Sequence, residues 1–204
     1  KNIRAIQSSA NYLYQMTNEI LDVAKINMGV IDIHEELFDL TKTLQKIQNN
    51  FVPLIEQKGL KPIFDLPKHP IYIQSDEQRI QQILYNLLHN SLKFTSNGFV
   101  SLVVDTREVA NQHQCIFKIV DSGIGMSMEE QAHVFDDFQQ AGTHENRMKG
   151  TGLGLGIVKK LVQLLSGKLH LQSEAEKGTT FTLSFEFEKV EKRRLPAENN
   201  KTVA

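Results

Sequence analysis

Hydrophobic residues recur along this chain with two periods, and the change from one to the other marks its parts. Ile3, Ile6, Ala10, Leu13, Thr17, Ile20 and Ala24 stand alternately three and four residues apart, the seam of a helix that packs against partner helices. Arg4, Gln7, Asn11, Asn18, Asp22 and Lys25 fall on the other face, and Gly29 suits a left-handed cap. The pattern also fits a helix lying on its own domain, but an alternation sustained over about 24 residues favours a bundle or coiled coil. From Val30 the character changes. Residues 30–34 alternate like a short strand, and 38–55 are helical in period, with Leu40, Leu44, Ile47, Phe51, Leu54 and Ile55 on one side. Strands are expected at 61–66 and 71–74, separated by Pro67 and Pro70. Asp76 to Phe94 is the strongest helix, with an acidic first turn suited to the helix dipole and an apolar face of Ile80, Ile83, Leu84, Leu87 and Leu88. Strands at 99–106 and 115–120 flank a polar hairpin loop, and a short helix follows at 128–135. A polar loop at 139–149 and a glycine-rich run precede a helix at 157–165. Strands at 168–173 and 179–188 close the pattern, and a polar, linker-like tail begins at Lys189.

Composition narrows the classes. The chain has 204 residues, 40% of them hydrophobic, enough to build a core and exclude wholesale disorder. A formal net charge of -1 gives no electrostatic footprint for nucleic acid or a membrane surface. One cysteine, Cys115, excludes a disulfide framework or a CxxC site within one chain. No apolar run approaches about 18 residues, and the Lys-Asn-Ile-Arg start is neither a signal nor a transit peptide. The expectation is a soluble, cytoplasmic piece of a longer protein.

Three stretches carry candidate chemistry. At about 100° per residue, Arg79, Gln82, Asn86, Asn90 and Lys93 form one stripe of the 76–94 helix. Carboxamide oxygens suit a hard cation and an ammonium suits phosphate, although an ordinary solvated face looks the same. Asp121-Ser122-Gly123-Ile124-Gly125 leaves an apolar strand. Its glycines admit close approach of a ligand, and its carboxylate accepts an amine hydrogen such as adenine's; plain turns and calcium loops share this pattern. Gly150-Thr151-Gly152-Leu153-Gly154-Leu155-Gly156 puts four alternate glycines before an apolar helix, where free N–H groups favour phosphate. It is neither a Walker loop nor a dinucleotide fingerprint.

In this order, with Phe135-Asp136-Asp137-Phe138 and Gly178-Thr179-Thr180-Phe181, the motifs resemble the ATP-binding domain of sensor histidine kinases, the Bergerat or GHKL fold. Asp137 stands where that family commonly has proline. The resemblance covers essentially the whole chain, since Met16 to Ile26 looks like the end of the second helix of a dimerisation and phosphotransfer hairpin. It implies an α+β fold: a two-layer α/β sandwich with a mixed, mostly antiparallel sheet, preceded by one long coiled-coil-like helix. The implied division is 1–28 for the partial hairpin, 29–189 for the ATP-binding domain and 190–204 for the tail. None of the seven histidines has the context of a phosphoacceptor, which is therefore expected upstream.

Carried over residue by residue, the resemblance implies ATP and Mg²⁺ as cofactors. Asn90 would bind the metal, Lys93 the phosphates and Asn86 the phosphates or the metal's waters, with Phe94 beside them. Asp121 would hold the adenine amine, with Gly123 and Gly125 beside the base. Thr151, Gly152, Leu153, Gly154 and Leu155 would offer backbone to the triphosphate, Gln140 would reach the γ-phosphate from the lid at 139–149, and Thr180 would face the adenine pocket. Asn86, Lys93 and Gln140 would be the catalytic set. Related ATPases, such as DNA gyrase and the heat-shock chaperones, carry a water-activating Glu where this chain has Asn86. Transfer to a histidine is thus favoured over hydrolysis. The partners implied are a second copy, through the hairpin, and a response-regulator receiver domain, with no nucleic acid and no membrane contact. A conformational ATPase clamp, a non-catalytic nucleotide sensor and a serine kinase of the same fold are the alternatives.

Overall fold

The structure, a computed structural model, describes residues 32–109, 112–136 and 152–188, with isolated positions between 17 and 30. Of the first helix only Thr17, Leu21, Ala24 and Lys25 are described, all helical. The hairpin reading, the loop at 139–149 and the tail lie outside the described residues.

The first strand, β1 (Glu36–Asp39), leads into helix α1 (Leu40–Gln57). The strand stands later than the alternation at 30–34 suggests. Phe38 pairs with Ile73 of β3 (Tyr72–Ser75) and both are buried, whereas the His34 amide donates to the Asp76 carboxylate, 3.0 Å away, instead of joining a ladder. Asp39 caps α1 by accepting from the Thr41 amide at 3.0 Å. Leu40, Leu44, Ile47, Phe51 and Ile55 form the helix's buried face, each such side chain worth roughly 1.5–3 kcal/mol of burial. The helix passes through Pro53 and ends at Gln57, with Lys58 as its C-cap and Gly59 following at φ 77°.

Strand β2 (Lys61–Asp65) precedes β3, and Asp76 then caps α2 (Glu77–Phe94) by accepting from the Arg79 amide at 3.0 Å. Asp76 is thus the cap rather than part of the acidic first turn, which Glu77 supplies. Next come β4 (Phe99–Val109) and β5 (Gln112–Asp121). Their ladder continues to the Val109–Gln112 pair, so the expected loop at 107–114 is mostly strand. Helices α3 (Met128–His133) and α4 (Gly154–Leu164), then strands β6 (Lys168–Glu174) and β7 (Gly178–Glu188), complete the fold. Helix α4 begins three residues before Ile157 because the Ile157 amide reaches the Leu153 carbonyl, at 2.9 Å, and both side chains are buried.

The main sheet runs β2-β4-β5-β7-β6, parallel only between β2 and β4. Alternation decides its faces. Val100, Leu102 and Val104, then Cys115, Phe117 and Ile119, then Phe181, Leu183, Phe185 and Phe187 are buried under α2 and α4. The other face carries exposed Lys118, His170 and Glu186. Burial pushes the Cys115 thiol up to about 12. His89 leans edge-on against Phe51, ring centroids 4.9 Å apart, and desolvation holds its pKa below the usual value. The layered α+β expectation matches this sheet.

Candidate nucleotide site

Helix α2 presents two sets of residues one turn from its end. On the polar stripe, Arg79 donates to Gln82 at 2.9 Å, and Asn86, Asn90 and Lys93 follow half-buried. A Cβ on Gly154 would stand 3.7 Å from the Asn86 Oδ1, so this stripe faces the first turn of α4. Among the described residues no side chain caps that turn and it holds no acidic residue, an arrangement that suits an anion at the helix N-terminus. The Lys93 ammonium lies 4.3 Å from the Phe94 ring centroid.

Beside Asn90, but on the buried side, Ser91 donates its hydroxyl to the Asp121 Oδ2 at 3.0 Å. Asp121 ends β5 and is 6% exposed. Its Oδ1 accepts from the Gly123 amide at 3.0 Å, and the Thr179 backbone supplies a third hydrogen bond. Desolvation pushes the carboxyl's pKa up, against the downward pull of those three donors. No charged side chain among the described residues pairs with it.

The glycines beside this carboxylate admit the close approach of the protein's own backbone. A Cβ on Gly123 would meet the Phe94 carbonyl oxygen at 2.6 Å, and one on Gly125 would meet that of Glu174 at 1.9 Å. The missing side chains are filled by the protein's own backbone. The Ile124 amide bonds the Phe94 carbonyl at 3.2 Å, and the Glu176 amide bonds the Ile124 carbonyl at 2.7 Å. The loop is thereby fastened to both the end of α2 and the β6–β7 turn.

The structure brings Asn86, Asn90, Lys93, Phe94, Asp121, Gly123, Gly125, Gly154 and Leu155 to this end of the sheet. Gly152 has φ 75°, and the buried Leu153 side chain anchors the strip in the core. Gln140 and Thr151 lie outside the described residues. Thr180 is a correction: it pairs with Val120, whereas Asp121 pairs with Thr179. Successive strand residues point to opposite faces, so buried Thr179 shares the face of Asp121 and Thr180 does not. The Thr179 hydroxyl lies 3.0 Å from that of Ser173. Sequence reasoning missed Ser91 and Thr179. Ser91 continues the apolar line of Ile80, Leu84 and Leu87, and a hydroxyl placed there needs a buried partner. Thr179 alternates in step with Phe181, Leu183 and Phe185.

Residues 75–189 match a family model described as histidine kinase-, DNA gyrase B- and HSP90-like ATPase. The autoinducer 2 sensor kinase/phosphatase LuxQ of Vibrio cholerae is 34% identical over 200 residues, which are 97% of this chain and 23% of that protein. Hybrid signal transduction histidine kinase L of Dictyostelium discoideum is 36% identical, over 92% of this chain and 11% of its own length. The chain thus spans less than a quarter of these relatives. Among solved structures, full-length ShkA in complex with AMPPNP superposes with a TM-score of 0.75 at 26% identity, covering 93% of this chain and 39% of that one. The Acinetobacter baumannii histidine kinase AdeS shares the fold, with a TM-score of 0.70 at 22% identity over 93% of this chain and 84% of its own.

Proposed function

Because this chain belongs to the family of histidine kinase-, DNA gyrase B- and HSP90-like ATPases, we propose that it is the catalytic domain of a two-component sensor histidine kinase. The γ-phosphoryl group of ATP passes to a histidine on a helical hairpin preceding these residues, and from there to an aspartate of a response-regulator receiver domain. The observation that carries the nucleotide assignment is Asp121, a carboxylate buried without a cationic partner among the described residues. Such a group is costly unless it is used.

The residues fit ATP. Asp121 accepts the adenine amine, and the uncapped first turn of α4, preceded by the glycine strip, receives phosphate oxygens on its N–H groups. Asn86 and Lys93 donate to the phosphates, with Gln140 and the backbone of Thr151 to Leu155 completing the set. Asn90 offers the carboxamide oxygen that Mg²⁺ takes; bound there, the ion would neutralise phosphate charge. Glu77, the one carboxylate of α2, accepts from Thr43 and Gln81 at 2.7 and 2.9 Å. The stripe facing α4 therefore holds no base for water, which supports transfer over hydrolysis.

Dimerisation through the hairpin and a cytoplasmic setting belong to the same reading. No helix among the described residues is long and apolar enough to cross a membrane. Incubation with γ-labelled ATP and a separately made hairpin should give acid-labile, base-stable label on the hairpin and none on this chain alone. Label on this chain alone would misplace the acceptor, and steady release of free phosphate would favour the clamp.

A further inference from the structure

Helix α1 runs beside α2 and is joined to it by rungs in constant register. Thr43 donates to Glu77, Asn50 to the Tyr85 hydroxyl, and the Lys58 ammonium to the carbonyls of Leu92 and Lys93, with partners 34 or 35 residues apart each time. Phe51 packs against Tyr85 and His89 between these rungs, ring centroids 5.2 and 4.9 Å apart. The last rung serves the end of α2. The final four carbonyls of a helix have no partner within it. Thr95 donates to the Ser91 carbonyl from its amide at 3.1 Å and its hydroxyl at 2.7 Å, and the Ile124 amide donates to that of Phe94 at 3.2 Å. Lys58 serves the two between them, reaching the Lys93 carbonyl at 3.3 Å, and brings a cation to the negative end of the helix dipole. Its own backbone is fixed, since the Lys58 amide bonds the carbonyls of Leu54 and Ile55. Buried Ile55 and Leu60 flank it.

We infer that Lys58 is a positioning residue for Lys93: by holding the carbonyls of the last turn of α2, it keeps the Lys93 ammonium aligned with Asn86 and Asn90. The inference rests on Lys93 contacting phosphate. Lys93 is the last residue but one of α2, where helices fray. Loss of that turn swings its side chain off the stripe that faces α4, while Asn86 and Asn90, further from the end, stay in place. Lys58 thus acts on the nucleotide through one residue, across the junction of two helices.

The test is calorimetric binding of AMPPNP to the whole chain as parent, Lys58→Met, Lys58→Arg, Lys93→Ala and the double variant Lys58→Met/Lys93→Ala. Methionine keeps most of the aliphatic stem and removes the ammonium; arginine keeps a cationic donor. Lys58 is exposed, so Lys58→Met should weaken binding only about threefold to tenfold, the scale of one net hydrogen bond, and Lys58→Arg should recover most of it. In the Lys93→Ala background the same substitution should change affinity by less than about twofold, the non-additivity of residues acting as a unit. A general loss of stability would instead weaken both backgrounds alike, and that result overturns the inference. So does Lys58→Met binding as tightly as the parent, or Lys58→Arg binding no better than Lys58→Met. Lys93→Ala with the parent's affinity overturns the phosphate assignment beneath it.

Discussion

The Asp121 carbonyl oxygen occupies the space where a side chain at Gly178 would begin: a Cβ there would lie 2.0 Å away. With Gly125 against Glu174 and Gly123 against Phe94, the end of β5, the loop after it and the β6–β7 turn are packed backbone to backbone. The Asp121 carboxylate is fixed by that contact before any ligand arrives.

Gly178→Ala should therefore cost about 3–5 kcal/mol, since both its φ of 105° and its contact distance forbid a side chain. Gly59→Ala is the control. Gly59 has φ 77° but nothing within 4 Å of an added Cβ, so only about 1 kcal/mol of backbone strain is expected. Urea denaturation of the two variants measures the difference.

Gly154 behaves the other way. An added Cβ meets only Asn86, at an ordinary 3.7 Å, and alanine favours a helix by up to about 1 kcal/mol. Gly154→Ala should leave the fold at least as stable while weakening AMPPNP binding roughly tenfold, about 1.4 kcal/mol, as the methyl group crowds the phosphates. Thermal melting and calorimetry on the same sample separate the two effects.

Asp121 gives pH two opposite signs. Its folded pKa is raised by burial above the unfolded value of about 3.9, so between the two values the folded state holds more protons. Its contribution to apo stability is therefore full below about pH 3.9 and falls as pH rises through the folded pKa. Binding of the adenine amine needs the ionised carboxylate and strengthens over the same window. Melting temperatures with and without AMPPNP should show both slopes, and Asp121→Asn should flatten them.

Pro53 sits inside α1 on an exposed surface and donates no hydrogen bond to the turn before it. Pro53→Ala should stabilise the domain by about 1–3 kcal/mol, less the unfolded-state entropy that proline restricts. Unchanged or lowered stability in urea would show that the helix already accommodates the ring without strain.

If Asn90 holds Mg²⁺, chelation should lower the nucleotide affinity of the parent and have much less effect on Asn90→Ala. Equal sensitivity in a calorimetric titration removes Asn90 from the metal site.

Much of this was legible in the sequence because helix and strand periods differ. The α2 stripe, the order of the motifs and the alternation of β5 and β7 are all properties of spacing. What spacing does not carry is which partner stands opposite. Nothing in residues 30–40 shows that Phe38 meets Ile73, and so the first strand is displaced from the best local alternation. Gly123 and Gly125 read as openings for a ligand, but it is the carbonyls of Phe94 and Glu174, distant in sequence, that fill them. Motif resemblance points to Thr180, whereas the Phe181–Leu183–Phe185 alternation puts Thr179 on the buried side.

Cys115, sealed under α2 with its thiol raised to about 12, is undissociated wherever this domain is handled, and a protonated buried thiol does not attack alkylating reagents. The chain is thus chemically blank toward maleimides although it contains a cysteine. A cysteine substituted for Met128, which is 83% exposed at the start of α3, would be its one reactive sulfur. A fluorophore attached there would report from the surface of α3 with no background from the native residue.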